Sequence, residues 1–169
     1  MKTVLYMTMT ANGMIATEKG DAPWSDVIWE GYYKIAKQFK AVILGRKTYE
    51  LMKEANEFQK IGSPFTVVVS RGSKKADSKT AFVKSPKDAM KLLKEMKFDK
   101  VMIGGGGKLN ASFMKENLVD EIILDIEPMI FGKGIELFND APDFRSDLQL
   151  IKVKKLSDNE IQLHYKVVK

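Results

Sequence analysis

Apolar residues along this chain recur in two rhythms. Unbroken runs at 41–44, 65–70 and 101–103 have the length and β-branched content of strands buried on both faces. Residues 3–10 form a β-rich opening strand, broken at Ala11-Asn12-Gly13 and followed by the short apolar patch Met14-Ile15-Ala16. The second rhythm is helical. Val27, Ile28, Tyr32, Ile35, Ala36 and Phe39 share roughly one face over 27–39, with Ser25 or Asp26 as N-cap. Ser85 followed by Pro86 opens another helix, serine at N-cap and proline at N1, running to residue 96. Helices are also predicted from residue 46 and over 109–116, a short edge strand at 81–83, and a strand at 119–126 stopped by Pro128. A loop at 130–134 follows, then strands at 148–155 and 160–168 joined through Ser157-Asp158-Asn159. Ile161, Leu163, Tyr165 and Val167 alternate along the last of these, which predicts an antiparallel, half-buried hairpin. Strands alternating with helices, then an antiparallel pair, predict one α/β domain over 1–169 with a mixed sheet covered on both faces.

Composition narrows the chemistry. A chain of 169 residues buries roughly two-thirds of the surface its unfolded form exposes. No apolar stretch approaches the ~20 residues of a membrane-spanning helix, and the start carries no signal pattern, so a cytoplasmic protein without a membrane partner is expected. Zero cysteines exclude disulfides, thiolate metal sites and a cysteine nucleophile, and the single His164 excludes a His-rich metal site; no metal is expected. The net charge of +6 comes from lysines scattered beside acids, as over 91–100 and 152–155, a pattern of solvated faces rather than of nucleic-acid binding. A positive field favours a small phosphorylated ligand.

The densest chemical signal is Gly104, Gly105, Gly106 and Gly107, followed by Lys108 and Leu109, between a strand-like and a helix-like run. Glycine lets backbone amides approach an anion, and a helix starting there aims its free N–H groups and positive dipole end at the same spot. The standard dinucleotide and P-loop spacings are absent, and a tight turn is the alternative reading. Two further strand exits carry similar chemistry: Gly45, Arg46, Lys47 and Thr48, then Ser70, Arg71, Gly72 and Ser73. Cations at a helix start oppose the dipole by about 0.3–1 kcal/mol unless an anion sits there. Three such exits predict a ligand with several phosphates, such as NADPH; simple exposure of Arg46 and Lys47 is the alternative.

These segments resemble the cofactor-binding segments of the dihydrofolate reductase superfamily. Leu118-Val119-Asp120-Glu121, the stretch from Ile126 through Pro128 to Gly132-Lys133-Gly134, and Leu137-Phe138 are similar to the reductase domain of the bifunctional riboflavin-biosynthesis deaminase–reductase. Thr10-Ala11-Asn12-Gly13-Met14-Ile15-Ala16 resembles the opening of that branch. The resemblance spans nearly the whole chain. It implies a dihydrofolate reductase-like three-layer fold, with a mostly parallel sheet of about eight strands and an antiparallel C-terminal hairpin. It also implies a homodimer and NADPH lying across the strand ends. The glycine run would hold the pyrophosphate through a Gly–Gly peptide, flanked by Arg46, Lys47 and Thr48, while Ser70 and Arg71 would read the 2′-phosphate. The implied reaction is hydride transfer to a small-molecule substrate of ribosylamino-pyrimidine type. With no cysteine, the deaminase half has no zinc site here.

Hydride chemistry needs a matching proton donor. Dihydrofolate reductases place a carboxylate on the helix after the loop tryptophan; the matching position here is Trp29, which counts against folate. Nearby acids are Asp26, which doubles as an N-cap, and Glu30, which doubles as a solvent-facing helix residue. Asp125 lies within an apolar run, where an acid is either paired, ligand-facing or turned to solvent. The riboflavin branch carries Asp where this chain has Asn12, which hydrogen-bonds a pyrimidine or ribose but supplies no proton at neutral pH. Trp24 and Trp29 are candidates to stack on a ligand ring or to pack in the core. His164 is expected as an exposed structural residue. A dihydrofolate reductase with a displaced acid, and a non-catalytic NADPH-binding regulatory dimer, are the alternatives.

Overall fold

The computed structural model describes residues 1–72, 77–140 and 143–169; Ser73, Lys74 and Lys75 of the expected basic loop lie outside the described residues. The elements follow as β1 (Lys2–Thr10), β2 (Met14–Thr17), α1 (Asp26–Ala36), β3 (Ala41–Gly45), α2 (Arg46–Glu54), α3 (Glu57–Lys60), β4 (Phe65–Val69) and β5 (Thr80–Val83). Then come α4 (Pro86–Glu95), β6 (Lys100–Ile103), α5 (Gly107–Lys115), β7 (Glu121–Glu127), β8 (Gly134–Glu136), β9 (Leu148–Lys155) and β10 (Ile161–Val167). An eight-stranded sheet runs in the order β5-β4-β3-β6-β1-β7-β10-β9, and β2 pairs with β8 in a separate ribbon. Strands β5 through β7 are parallel along that order, whereas β10 is antiparallel to both β7 and β9.

The apolar runs read as central strands because both sheet faces are covered. Val4, Tyr6, Val42, Leu44, Val68 and Met102 face a layer holding Ala36 of α1, Tyr49 of α2 and Phe58 of α3. Leu5, Ala41, Ile43, Val67, Val101 and Ile103 face the opposite layer, with Ala89 and Leu93 of α4 and Leu109 and Phe113 of α5. Fully burying a side chain such as Phe113 stabilises the fold by about 1.5–3 kcal/mol. Local signals set two helix starts as expected. Ser25 Oγ accepts from Ile28 N at 3.3 Å, and Ser85 Oγ accepts from Asp88 N at 3.1 Å with Pro86 at the first turn.

Several boundaries differ from the sequence expectation. α1 stops at Ala36, and Val27 lies off its buried stripe at 40% exposed while Ile28 is fully buried. α5 begins at Gly107 rather than 109, β7 extends to Glu127, and the loop expected at 130–134 leads into β8. The one-turn α3 has no period from which to read it. The C-terminal hairpin is not uniformly half-buried. Every residue of β9, at one edge of the sheet, is exposed, while β10 is partly covered. His164 is half-buried rather than exposed, its Nε2 lying 2.9 Å from Glu121 Oε2.

Candidate cofactor and substrate site

Five parallel strands, β4, β3, β6, β1 and β7, lie side by side and end on the same edge of the sheet. Their exits therefore bring Ser70 and Arg71, the 45–48 segment, the glycine run, Asn12 and Glu127 into one row. At the usual strand spacing this row spans roughly 19 Å. Open α/β sheets bind ligands along such an edge.

The middle of the row is a cradle built from backbone. Gly45 N donates to Gly105 O at 2.8 Å and Gly104 N donates to Ile43 O at 3.0 Å, tying the exits of β3 and β6 together. The Gly105–Gly106 peptide is cis, and Gly105 has φ of +83°, a region that a side chain disfavours. A Cβ on Gly107 would collide with the carbonyl of Glu136 and approach Asn139 N to 2.9 Å, so the start of α5 packs directly on that turn. A Cβ on Gly106 would come within 3.3 Å of Thr48 Oγ1, which sets the first turn of α2 against the glycine peptide.

Two helix N-termini thus converge on one peptide, and both are unusual for this protein. α2 starts from Gly45 and α5 from Gly106, neither has a side-chain cap, and neither carries an acid in its first turn. α1 and α4 have both, through Ser25 with Asp26 and Ser85 with Asp88. The first turns of α2 and α5 carry Arg46, Lys47 and Lys108 instead, all exposed, with Arg46 Nη1 at 3.2 Å from Glu50 and Lys108 Nζ at 2.5 Å from Asp140. Free amide donors, positive dipole ends and solvent-exposed cations suit a pyrophosphate. Asn110, fully buried one turn into α5, donates Nδ2 to Leu137 O at 2.9 Å, and its Oδ1 has no partner among the described residues. That oxygen would lie 3.8 Å from a Cβ on Gly105, beside the cradle. At the β4 exit, Arg71 is exposed and Ser70 Oγ accepts from Gly72 N at 3.3 Å. The residues expected to hold NADPH, from Gly45 to Leu109, therefore fit a dinucleotide lying along the row.

The β1–β7 end carries the substrate candidates. Asn12 clamps the loop opposite: Nδ2 donates to Phe131 O at 2.8 Å, while Oδ1 accepts from Thr10 Oγ1 at 2.7 Å and from Phe131 N at 3.3 Å. Phe131 stacks on Trp24 with ring centroids 6.2 Å apart, whereas Trp29 stacks on Tyr33 away from that pair. Asp26 and Glu30 are both exposed on the first turns of α1. Asp125 is fully buried and paired, accepting from Tyr6 Oη at 2.6 Å and Gln162 Nε2 at 2.7 Å. Burial pushes its carboxyl above the usual range, opposed by those two hydrogen bonds and by the charge of Lys154. Burial and the neighbouring Asp125 charge likewise push the Tyr6 phenol well above its ordinary value. Sequence reasoning passed over Glu127, which ends β7 at 4% exposure and accepts from Ser25 N at 3.2 Å. Its signal was the acid directly before Pro128 at the end of an apolar run. A separate shallow hollow of about 340 Å³, lined by Tyr49, Lys53 and Phe58 with Asp77 and Thr80, opens near the starts of β4 and β5, away from this row.

The model of the RibD C-terminal domain matches residues 2–162. The Bacillus subtilis (strain 168) protein YwjB is 34% identical over 171 residues, covering 97% of each chain. A solved Shewanella sp. PV-4 structure, described as a riboflavin biosynthesis protein, superposes with a TM-score of 0.82 at 21% identity over 100% of both chains. The Thermotoga maritima diaminohydroxyphosphoribosylaminopyrimidine deaminase/5-amino-6-(5-phosphoribosylamino)uracil reductase superposes with a TM-score of 0.80 at 19% identity; 99% of this chain is covered against 56% of that one. The chain therefore belongs to the RibD C-terminal domain family, the reductase branch of the dihydrofolate reductase-like fold.

Proposed function

We propose that this protein is an NADPH-dependent reductase acting on a ribosylamino-pyrimidine-type substrate, working as a cytoplasmic homodimer. The observation that carries the cofactor reading is the pair of uncapped, acid-free helix starts facing each other across the Gly105–Gly106 peptide. Thr48 with Gly105, Gly106 and Gly107 would hold the pyrophosphate through hydroxyl and backbone donors, joined by the first-turn amide of Lys108, while Gly45, Gly104 and Leu109, whose amides bond within the cradle, would shape it. Arg46 and Lys47 add charge beside it, and Ser70 with Arg71 reads the 2′-phosphate at the β4 exit. Bound there, NADPH supplies the hydride. The chain's own part is to align the row and to present Asn12 and Trp24 to the substrate. Asp26, Glu30 and Asp125 are the candidate acids of the sequence reading. The first two are hydrated; the third is protected inside the sheet by Tyr6 and Gln162.

Titration of NADPH and NADH by nucleotide fluorescence tests the cofactor reading. Saturable binding with preference for NADPH is expected, and absence of binding to either overturns it. NADPH oxidation measured with a 5-amino-6-ribosylaminouracil substrate and with dihydrofolate then separates the two reductions. Turnover of dihydrofolate alone overturns the substrate assignment.

A further inference from the structure

Four polar residues sit together where both neighbouring layers are otherwise apolar. In the register of β1 and β7, Thr8 lies opposite Asp125 and Thr10 opposite Glu127. In-register residues of neighbouring parallel strands project to the same side, and residues two apart along a strand share a face. The four therefore form one patch, on the face that Tyr6 shares with α1, and each is at most 7% exposed. Three have assigned bonds. Asp125 is saturated by Tyr6 and Gln162, and Thr10 Oγ1 both donates to Asn12 and accepts from Met14 N. Glu127 differs. Among the described residues its carboxylate receives one hydrogen bond, Ser25 N to Oε2, and has no cation partner. Its other oxygen is not sealed from solvent, so it stands open to accept from an arriving donor. Trp24 and Phe131, both half-buried, and the exposed Asn12 stand at the approach to this patch.

We propose that Glu127 is the substrate-reading carboxylate of this chain: its open oxygen accepts a ring N–H of a pyrimidine seated on the Thr8–Thr10 side of β1, beneath Trp24. The proposal rests on the reductase reading and adds to it the ring edge that is recognised. An ionised carboxylate only accepts hydrogen bonds, so the partner is an N–H donor edge, as in a uracil or aminopyrimidine, and not a ring whose nitrogens are alkylated. The N-cap residue of α1 holds Glu127 in place through Ser25 N. Glu127 is thus a specificity residue that leaves hydride delivery to the cofactor.

Calorimetric titration of 5,6-diaminouracil and its 1,3-dimethyl analogue into the NADPH-saturated protein tests this. The wild type is expected to bind diaminouracil at least tenfold more tightly than the dimethyl compound, the order of one charge-assisted hydrogen bond. Glu127→Gln keeps an oxygen for Ser25 N; it is expected to retain NADPH affinity and melting temperature while losing that tenfold discrimination. Discrimination unchanged in Glu127→Gln overturns the proposal. So does NADPH binding without any diaminouracil binding, which leaves the cofactor reading standing. Failure to bind NADPH sinks the reductase reading itself and is seen in the first titration. Glu127→Ala separates the purely structural role, in which only the melting temperature falls.

Discussion

At the scale of single residues, sequence and structure agree on which groups carry chemistry more than on how each is engaged. Asp125 was conspicuous as an acid in an apolar strand, yet the strand pattern alone could not distinguish a ligand-facing acid from one paired in the core. Tyr6 lies far away in sequence and reaches it only through the pairing of β1 with β7. Its raised carboxyl gives a signed prediction. The folded state holds the Asp125 proton to higher pH than the unfolded chain, so wild-type stability falls as pH rises above the ordinary value of 3.8. Asp125→Asn removes the titration and still accepts from Tyr6. Its melting temperature relative to wild type is therefore expected to climb from pH 4 to pH 7, and a flat difference contradicts the assignment. Asp120 and Glu121 act in the opposite direction. Their hydrogen bonds from Lys169 and Thr3, and from Lys2 and His164, outweigh burial and hold them low. The stability they add is present above their unfolded values and lost as pH falls. Both are partly solvated, so their share is screened. Arg71 gives the second residue-scale prediction. Arg71→Ala is expected to weaken NADPH binding at least tenfold with little change for NADH, and equal losses remove its assignment to the 2′-phosphate.

At the scale of elements, capping divides the helices by task. α1 and α4 are closed by serine caps with acids in the first turn, a pattern legible in Ser25-Asp26 and in Ser85-Pro86. α2 and α5 start from glycine and leave their amides open. The start of α5 was misplaced by two residues because Gly107 has poor helix propensity, and the contact with Glu136 and Asn139 that fixes it is tertiary. β8 and α3 are too short for any period to emerge. The division predicts separable effects. Ser85→Ala is expected to lower unfolding free energy by about 0.5–2 kcal/mol in denaturant titration. Inorganic pyrophosphate is expected to raise the melting temperature of wild type and Ser85→Ala equally, and less so as salt screens the site. No rise in either protein contradicts an anion cradle between α2 and α5.

At the scale of the whole molecule, the exits line up only because β6 and β1 insert between β3 and β7, an order that strand patterns do not encode. The same order leaves β9 as an edge, and here alternation misled: it reads identically whether or not a helix covers the sheet. A register shift between His164 and Tyr165 pairs Lys152 with the former and Leu150 with the latter, so Ile151 is passed over. That irregularity keeps Leu148, Leu150 and Val153 on the face of Leu163 and Tyr165, while Lys152 and Lys154 follow His164 and Gln162 to the other. Leu148, Leu150 and Val153 are 41%, 52% and 54% exposed, an apolar patch at the open end of a sheet whose other edge is only four residues long. For a homodimer this face offers a two-fold, self-complementary contact in which each copy covers the other's apolar strand, with the lysine rows left in water. If the proposed homodimer uses this face, Leu150→Lys with Val153→Lys is expected to convert it to a monomer in sedimentation velocity. Both positions are exposed in the single chain, so folding of the monomer and its saturable NADPH binding at the distant row should persist. A double variant that remains dimeric assigns the contact to another face, and one that loses NADPH binding along with dimerisation ties the cofactor row to the assembly.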